Sequence, residues 1–391
     1  MIDRRGFLKA GTLAGLATLA PARRGAGSST PSADSPSDDA PRIDGAGGSS
    51  LFWFGDDDPA VPQELEHLRA SGLTAMLVTV APSGRFWLDD AAFRRTRDAI
   101  ATWHGLVDRF PDALTLVERH RDLAQARRSG RVGIVLTFQG TESLGEDPDR
   151  IDLFHQQGVR VIQLTHNRRN LVGDGCMEPG NAGLSAYGHQ IVQRLNAQRV
   201  IVDLAHASQR TTAEAIRASA APVLISHTGC RALADLPRNT ADAELRAMAD
   251  RGGVVGIIFW PYLRTDSQPM AVDVVRHLEH AINVCGEDHV GIGTDGPVAP
   301  IERGPAFEQD NRQTIAAMKR DGIFAQDRPD ELYTFIPDLN VADRFQVLGR
   351  LLAARGHGDA RIAKLLGGNF ARVMAASATA PSEPQAVRSF A

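Results

Sequence analysis

The sequence predicts an α/β protein, a single (β/α)8 barrel of the TIM type, and two observations lead to it. Short apolar runs alternate with longer segments of helical periodicity along most of the 391 residues, which is the pattern of parallel strands joined by crossover helices. There are about eight such runs, which favours a closed barrel over an open sheet. A hydrophobic content of 43% is sufficient for the core of one large domain.

The predicted strands are short apolar runs bounded by polar or turn-forming residues. In chain order they are Thr74–Val80, Leu114–Val117, Val132–Phe138, Arg160–Thr165, Val200–Leu204, Val223–Ser226, Val254–Phe259 and His289–Gly293. The helices predicted between them carry an apolar stripe at helical spacing. They are Asp89–Arg109, Ile151–Gln157, Ser185–Ala197, Gln209–Ala218, Ala241–Arg251, Ala271–Cys285 and Val341–Ala354.

The N-terminus predicts an export signal over residues 1–25. Arg4 and Arg5 begin the stretch RRGFLK, a mildly apolar run follows, and Ala20–Ala22 has the small-residue spacing of a cleavage site. This order is typical of a secretory signal, and the paired arginines resemble the twin-arginine export motif. We therefore expect a periplasmic or secreted protein. The apolar run is too short for a stable membrane span.

Two stretches of low complexity bound the predicted barrel. Residues 26–42 are rich in Ser, Pro and Asp, which predicts a disordered linker. The catalytic barrel is expected over residues 43–375, and residues 376–391 are predicted to form a flexible tail.

Charge and cysteine content argue against several classes of protein. With 43 basic and 47 acidic residues the formal net charge is −4, so there is no electrostatic reason to expect nucleic acid or an anionic membrane as a partner. The cysteines, Cys176, Cys230 and Cys285, are few and far apart, so a disulfide framework is not expected.

Five predicted strands end in a side chain that can bind a metal, move a proton or hydrogen-bond a substrate. These side chains are Gln139, His166, His206, His227 and Asp295. Because active sites of such barrels lie at the C-terminal ends of the strands, we expect the five to converge on one site. The two imidazoles of His206 and His227 suit Zn²⁺, and the carboxylate of Asp295 can take a proton from a reacting water.

Arg238 lies in the loop LPRNT, just beyond the strand that ends in His227. A guanidinium there can hold a substrate carboxylate through two parallel hydrogen bonds. On spacing alone, a solvated surface arginine fits the loop equally well.

Seven segments carry a further signal when they are taken in order: GVRVIQLTHNRRN, GLSAYGHQIVQRLNAQRVIVDLAHAS, APVLISHTGCRAL, PRN, RGGVVGI, HVGIGTDG and LLGGNFARV. Together they resemble the membrane (renal) dipeptidase family of metallopeptidases, in the amidohydrolase superfamily. The resemblance covers nearly all of residues 43–372. It implies a (β/α)8 barrel, a homodimer and hydrolysis of dipeptides at a two-zinc site.

The resemblance also implies a role for each candidate residue. His206 and His227 match the two histidines of one zinc site. Asp295 matches the aspartate that binds the other zinc and handles the proton. His166 matches a histidine that faces the substrate and steadies the tetrahedral intermediate, and Arg238 matches the arginine that holds the substrate carboxylate.

The match fails at the ligands of the other zinc. Where the first strand of the family ends in H-x-D, this chain has Ala46 and Gly48, and Gln139 stands in place of a bridging glutamate. A neutral amide is a poor bridge between two cations. Two alternatives remain open: a slipped alignment that uses Glu142, or a carboxylate from Asp56–Asp58 that replaces the missing aspartate.

The sequence therefore favours one Zn²⁺ over two. The ion would be held by His206, His227, the carbonyl oxygen of Gln139 and water, and Asp295 would serve as general base instead of binding a second ion.

We expect an exported metal-dependent hydrolase of dipeptides or dipeptide-like amides. Two alternatives stay open: an inactive dipeptidase-like protein that binds small peptides, and a hydrolase of a related lactam or lactone. The retained histidines, Arg238 and Asp295 favour hydrolysis, because a dead site needs no general base beside two metal ligands. The loss of H-x-D favours binding alone.

Overall fold

The computed structural model describes residues 40–55, 57–81 and 91–379. Its strands are numbered β1 to β11 in chain order: Ile43–Asp44, Gly47–Gly48, Ala75–Ala81, Leu114–Leu116, Val132–Phe138, Val159–Gln163, Ile201–Asp203, Leu224–Thr228, Val254–Ile257, Val290–Ile292 and Gly296–Pro297. Eight of them, all except β2, β4 and β11, pair in parallel in the order of the chain.

The first and last strands of this sheet meet. The backbone N–H of Gly45, just after β1, donates to the carbonyl oxygen of Ile292 in β10 over 2.8 Å. Beyond that point β2 pairs in parallel with β11, with Gly47 opposite Gly296. The eight strands therefore form a nearly closed barrel, which confirms the (β/α)8 class that the sequence predicts.

Helices alternate with the barrel strands along the chain. The α-helices among the described residues are Val61–Ala70, Ala91–Arg109, His120–Ser129, Arg150–Gln156, Ala186–Ala197, Gln209–Ala218, Asp242–Asp250, Ala271–Cys285, Pro305–Arg320, Arg344–Ala354, Asp359–Ala363 and Asn369–Thr379. Short 3-10 helices occupy Ser50–Trp53, Glu142–Leu144, Glu287–His289 and Pro337–Leu339, and a π-helical turn occupies Lys364–Gly368.

One predicted barrel strand is wrong, although the fold class is right. Leu114–Val117 is predicted as a barrel strand, but β4 ends at Leu116 and pairs only with β5, outside the ring of eight. The missing barrel strand is β1, Ile43–Asp44. Two residues are too short a run to show the alternation by which strands are recognised.

The barrel is filled with apolar side chains, and alternate residues of a strand face opposite layers. On β3, Leu77 belongs to the inner cluster and Met76 to the outer one, which packs under the helices. Phe370, from the last helix, is fully buried in the inner cluster. A Cβ atom at Gly45 or Gly291 would collide with the Phe370 ring, so this ring requires glycine on β10 and directly after β1.

Several sequence predictions fall at or beyond the edges of the described residues. Residues 1–25 and most of the predicted linker lie outside them. Arg42, the last linker residue, exchanges hydrogen bonds with Thr74 next to β3, and the last helix runs to Thr379, past the predicted boundary at residue 375. Within the described segments, no helix has the length and apolar character needed to cross a bilayer.

Candidate active site

Three of the predicted site residues meet at the C-terminal end of the barrel. His206 follows β7, His227 lies in β8 and Asp295 follows β10. One potential ligand atom from each lies within 4.8 Å of the other two, and no other such cluster of His, Cys, Asp or Glu is found among the described residues. The Nε2 atoms of the two histidines are 2.9 Å apart.

The hydrogen bonds on the far side of each ring fix where the ring protons lie. The Nδ1–H of His206 donates to Oδ1 of Asn167 over 2.7 Å, because an amide oxygen can only accept. The hydroxyl of Ser226 donates to Oδ2 of Asp203 over 2.5 Å, so its oxygen accepts from Nδ1–H of His227 over 2.8 Å. A neutral imidazole carries one proton, so both Nε2 atoms present lone pairs.

These lone pairs face each other, an arrangement that a cation between them stabilises. Imidazole nitrogen binds Zn²⁺ at ~2.0–2.1 Å, so both Nε2 atoms are within reach of a single ion. Asp295 adds a carboxylate oxygen to the same cluster. Two imidazoles and a carboxylate are a donor set typical of zinc and related divalent ions. The residues present therefore fit a divalent transition metal.

The backbone is left-handed at two of the three residues. His206 has φ of 62° and Asp295 has φ of 52°, a conformation that costs a non-glycine residue ~1–3 kcal/mol. Hydrogen bonds hold both in place. The carbonyl oxygen of His206 accepts from the N–H of Cys176 over 2.6 Å. The backbone N–H of Asp295 donates to the carbonyl oxygen of Ala46 over 2.6 Å. The backbone carbonyl oxygen of Asp295 accepts from Nε1–H of Trp260 over 2.7 Å.

Gln139 and His166 also reach the cluster. Gln139 directly follows β5, and its side-chain amide donates to Oδ1 of Asp295 over 3.4 Å. The ring of His166 stacks on the ring of His206, with centroids 4.1 Å apart and planes 23° apart. Both residues are thus where the sequence predicts them, and their roles as ligand and substrate contact stay predictions.

Arg238 lies behind His227 and is not a surface residue. Its side chain is buried, with 4% of the residue exposed. One nitrogen, Nη2, donates to the carbonyl oxygen of His227 over 2.8 Å, and Nε and Nη1 have no hydrogen-bond partner. The guanidinium carbon is 5.7 Å from the centre of the Tyr262 ring. A buried cation with two unmatched donors is suited to an anion.

The structure supplies no substitute for the missing first-strand ligands among its described residues. The cluster of His206, His227 and Asp295 does not include Glu142, Asp57 or Asp58. Asp56 lies outside the described residues. A Cβ atom at Gly48 would meet nothing closer than a backbone oxygen at 4.0 Å. The position is therefore open space.

Three residues that orient the histidines were not predicted from the sequence: Asn167, Asp203 and Ser226. A signal for Asp203 exists, because it is the one charged residue in the apolar run IVDLA, and an aspartate buried in a strand needs partners. Its exposed fraction is 2%. Burial raises the pKa of Asp203, and hydrogen bonds from Ser226 and Ala205 oppose that rise.

Comparison with known proteins agrees with this geometry. The sequence model of one family, membrane dipeptidase (peptidase family M19), matches residues 55–303, more than half of the chain. The match begins after β1 and so leaves out Ala46 and Gly48. A dipeptidase named verJ from Clonostachys rogersoniana is 32% identical over 206 residues, which are 52% of this chain and 53% of that protein.

A second relative, the dipeptidase tcpJ from Claviceps purpurea (strain 20.1), is 30% identical over 238 residues, 60% of this chain and 56% of its own length. The chain thus spans about half the length of these curated relatives. Among solved structures, an amidohydrolase from Pseudomonas aeruginosa is 28% identical, with a TM-score of 0.73 over 88% of this chain and 99% of the other. With the fold and the metal-spaced cluster in place, the family match shows that the chain belongs to the membrane dipeptidase family.

Proposed function

We propose that the protein is a metal-dependent hydrolase of dipeptides or dipeptide-like amides. One observation carries the proposal: the lone pairs of His206 and His227 face each other at 2.9 Å, beside the carboxylate of Asp295. A cation between the two nitrogens would stabilise this arrangement. Family membership and the relatives that bear the name dipeptidase support the substrate class.

The centre is proposed to hold one Zn²⁺. His206 and His227 supply two neutral ligands, and Asp295 lies close enough to be a third ligand or to act on a nearby water. The second half of a dinuclear centre has no ligands on the first strand, because Ala46 and Gly48 offer no side-chain donor. Gln139 brings an amide where a bridge between two cations requires a negative charge.

Each remaining side chain has a distinct proposed task. When bound, a divalent ion supplies positive charge that polarises a carbonyl group and makes a water more acidic. Asp295 accepts the proton of the attacking water as general base. His166, stacked on His206, donates to the oxygen on which negative charge develops. Arg238 pairs its unmatched donors with the free carboxylate of the substrate.

A second candidate function is peptide binding without cleavage. The neutral residues Ala46, Gly48 and Gln139 favour it, since they remove ligands and charge from the half of the centre next to Asp295. Opening of a lactam or lactone is a variant of the first function, because it needs the same activated water and general base. A panel that includes dipeptides, lactams and lactones separates these candidates.

The deciding experiment joins metal analysis to that panel. We expect about one equivalent of zinc per chain after reconstitution and hydrolysis of at least one dipeptide. Changing both His206 and His227 to alanine should abolish metal binding and hydrolysis. His280→Ala is the matched control, since His280 pairs with Asp242 and neither residue belongs to the cluster of His206, His227 and Asp295. Tight binding of a dipeptide by zinc-free protein, with no hydrolysis at any zinc level, would instead support the binding function.

We also propose that the protein is exported through its paired arginines, Arg4 and Arg5, to the periplasm or beyond. The homodimer expected from the resemblance stays a prediction that size-exclusion chromatography with light scattering can check.

A further inference from the structure

Asp203 is a buried carboxylate that joins the two strands bearing the metal-site histidines. It is the last residue of β7, and 2% of it is exposed. Its Oδ1 accepts from the backbone N–H of Ala205 over 3.1 Å and of Ser226 over 2.9 Å. Its Oδ2 accepts from the hydroxyl of Ser226 over 2.5 Å. All three donors lie at the strand ends next to His206 and His227.

Ser226 passes this constraint on to His227. Because its only proton goes to Asp203, the serine oxygen can only accept from Nδ1–H of His227, 2.8 Å away. A proton on Nδ1 leaves Nε2 with a lone pair, which points at Nε2 of His206. We propose that Asp203, acting through Ser226, is a positioning residue that fixes His227 in the tautomer able to bind a divalent transition metal.

The proposal rests on the proposed function for the identity of the ligand, whereas the tautomer is a property of the metal-free chain. Outer partners of this kind commonly set the orientation and basicity of a ligating histidine. Here the partner is one hydroxyl removed from the ring, so the carboxylate acts on the proton position without touching the histidine.

A second buried aspartate, Asp44, makes the same pattern of hydrogen bonds but acts on no histidine ring. Asp44 at the end of β1 is 4% exposed. Its Oδ1 accepts from the N–H of Ala46 and of Thr294 over 3.1 Å and 2.8 Å, and its Oδ2 accepts from the Thr294 hydroxyl over 2.6 Å. The pattern repeats that of Asp203. The residue after Thr294 is Asp295, whose carboxylate has no tautomers, so Asp44 serves as an internal control.

The first measurement is metal affinity. In Asp203→Asn the amide oxygen can keep the two backbone hydrogen bonds, while the amide N–H₂ replaces Oδ2 and donates to Ser226. The serine hydroxyl must then donate to Nδ1 of His227, which moves the ring proton to Nε2. We expect the affinity for Zn²⁺, measured by chelator competition, to fall by about 10- to 100-fold. Asp44→Asn should change it by less than about threefold, since no ring proton depends on that contact.

The second measurement reads the tautomer directly. Ring ¹⁵N shifts of histidine-labelled, metal-free protein are recorded at about pH 8.5, where imidazoles are neutral. We expect His227 to carry its proton on Nδ1 in the wild type and in Asp44→Asn, and on Nε2 in Asp203→Asn. Ser226→Ala should give a mixture of both tautomers. Ser226→Thr should preserve the wild-type state, because Thr294 already fills the equivalent position of the second contact.

The outcomes separate the proposals. Equal losses of zinc affinity in Asp203→Asn and Asp44→Asn, or a His227 that keeps Nδ1–H in Asp203→Asn, would overturn the role of Asp203. Should Asp203→Asn fail to fold by circular dichroism, the Ser226→Ala and Ser226→Thr pair decides, and identical tautomers in the two would refute the relay. A wild type that binds no metal refutes the proposed function, while the ring shifts still decide the tautomer.

Discussion

The backbone N–H of Asp295 donates to the carbonyl oxygen of Ala46 over 2.6 Å. This bond holds the end of the first strand against the carboxylate that remains in the cluster. Together with the open space at Gly48, it keeps the positions of the missing ligands next to the site.

We predict that Ala46→His, Gly48→Asp and Gln139→Glu together create a second metal site and raise dipeptidase activity. The three changes add two ligands and a bridging negative charge, which a neutral amide cannot supply. The checks are zinc stoichiometry, expected to rise from about one to about two ions per chain, and kcat/KM on a dipeptide panel.

The control for this triple variant fills the same space without metal-binding atoms, as Ala46→Leu with Gly48→Leu. It should leave the stoichiometry unchanged. A triple variant that melts like the wild type and still binds one ion or none would show that the first strand cannot present ligands, since errors of about 1 Å are enough to spoil a site.

A second prediction concerns Arg238 and the free carboxylate of the substrate. Amidating the C-terminus of a cleaved dipeptide should lower kcat/KM by more than tenfold, because a charged hydrogen bond contributes about 1.5–3 kcal/mol. Arg238→Gln should lower kcat/KM on the free dipeptide by a similar factor and remove the discrimination against the amide.

Arg344→Gln is the control for that measurement, because Arg344 is also buried and donates to backbone carbonyl oxygens, those of Pro297 and Val298. It should lower the melting temperature and keep the discrimination. Equal wild-type rates on dipeptide and amide would take Arg238 out of substrate binding.

A third prediction is a loss of stability in mild acid that comes from His277. Its Nδ1 accepts from the N–H of Cys230 over 2.9 Å and its Nε2–H donates to Leu263 over 3.0 Å. Burial lowers the pKa of His277 to about 4. The unfolded chain takes up the proton near pH 6.5 and the folded chain resists it, so this stabilisation is complete above about pH 6.5 and is lost as the pH falls towards 4.

Urea unfolding of chelator-treated protein at pH 7 and pH 4 measures the effect. The free energy of unfolding of the wild type should fall by about 3 kcal/mol more than that of His277→Asn, which keeps a donor and an acceptor without titrating. His120→Asn, at an exposed position, should behave like the wild type. Parallel losses in wild type and His277→Asn would contradict the prediction.

The last prediction concerns export. Replacing Arg4 and Arg5 with lysine should leave full-length precursor in the cytoplasm, because the twin-arginine signal is read through that pair. Cell fractionation with an antibody detects it, and an Arg23→Lys, Arg24→Lys variant is the control. Normal processing of the first variant would refute this route.

The alternation of apolar runs and helical segments was enough to predict the fold class, but not every strand. The run at Leu114–Leu116 is short and apolar like the barrel strands, although only Leu114 is fully buried. Its pairing with β5 alone shows that it is peripheral. Ile43–Asp44 could not be recognised, since its place in the barrel depends on pairing with residues 75 and 76.

For the site, the rule that chemistry lies at strand ends predicted His206, His227 and Asp295 as neighbours. It could not predict which ring nitrogens face the metal. The ring nitrogens that face the metal depend on the strand register, which places Asp203 opposite Leu224 and so brings the Asp203 carboxylate to Ser226. The sequence of neither strand alone determines this register.

The contact between Asp44 and Thr294 fastens the first barrel strand to the end of the last one independently of any metal ligand. The end of the first strand is held by hydrogen bonds from Ala46 and Thr294 to the carboxylate of Asp44, and none of these bonds uses a side chain at position 46 or 48. In a site where the ligands themselves held the strands together, losing two of them would loosen the scaffold. Here the contacts that hold the first strand and the side chains at positions 46 and 48 can change separately, so these side chains can differ while the fold persists.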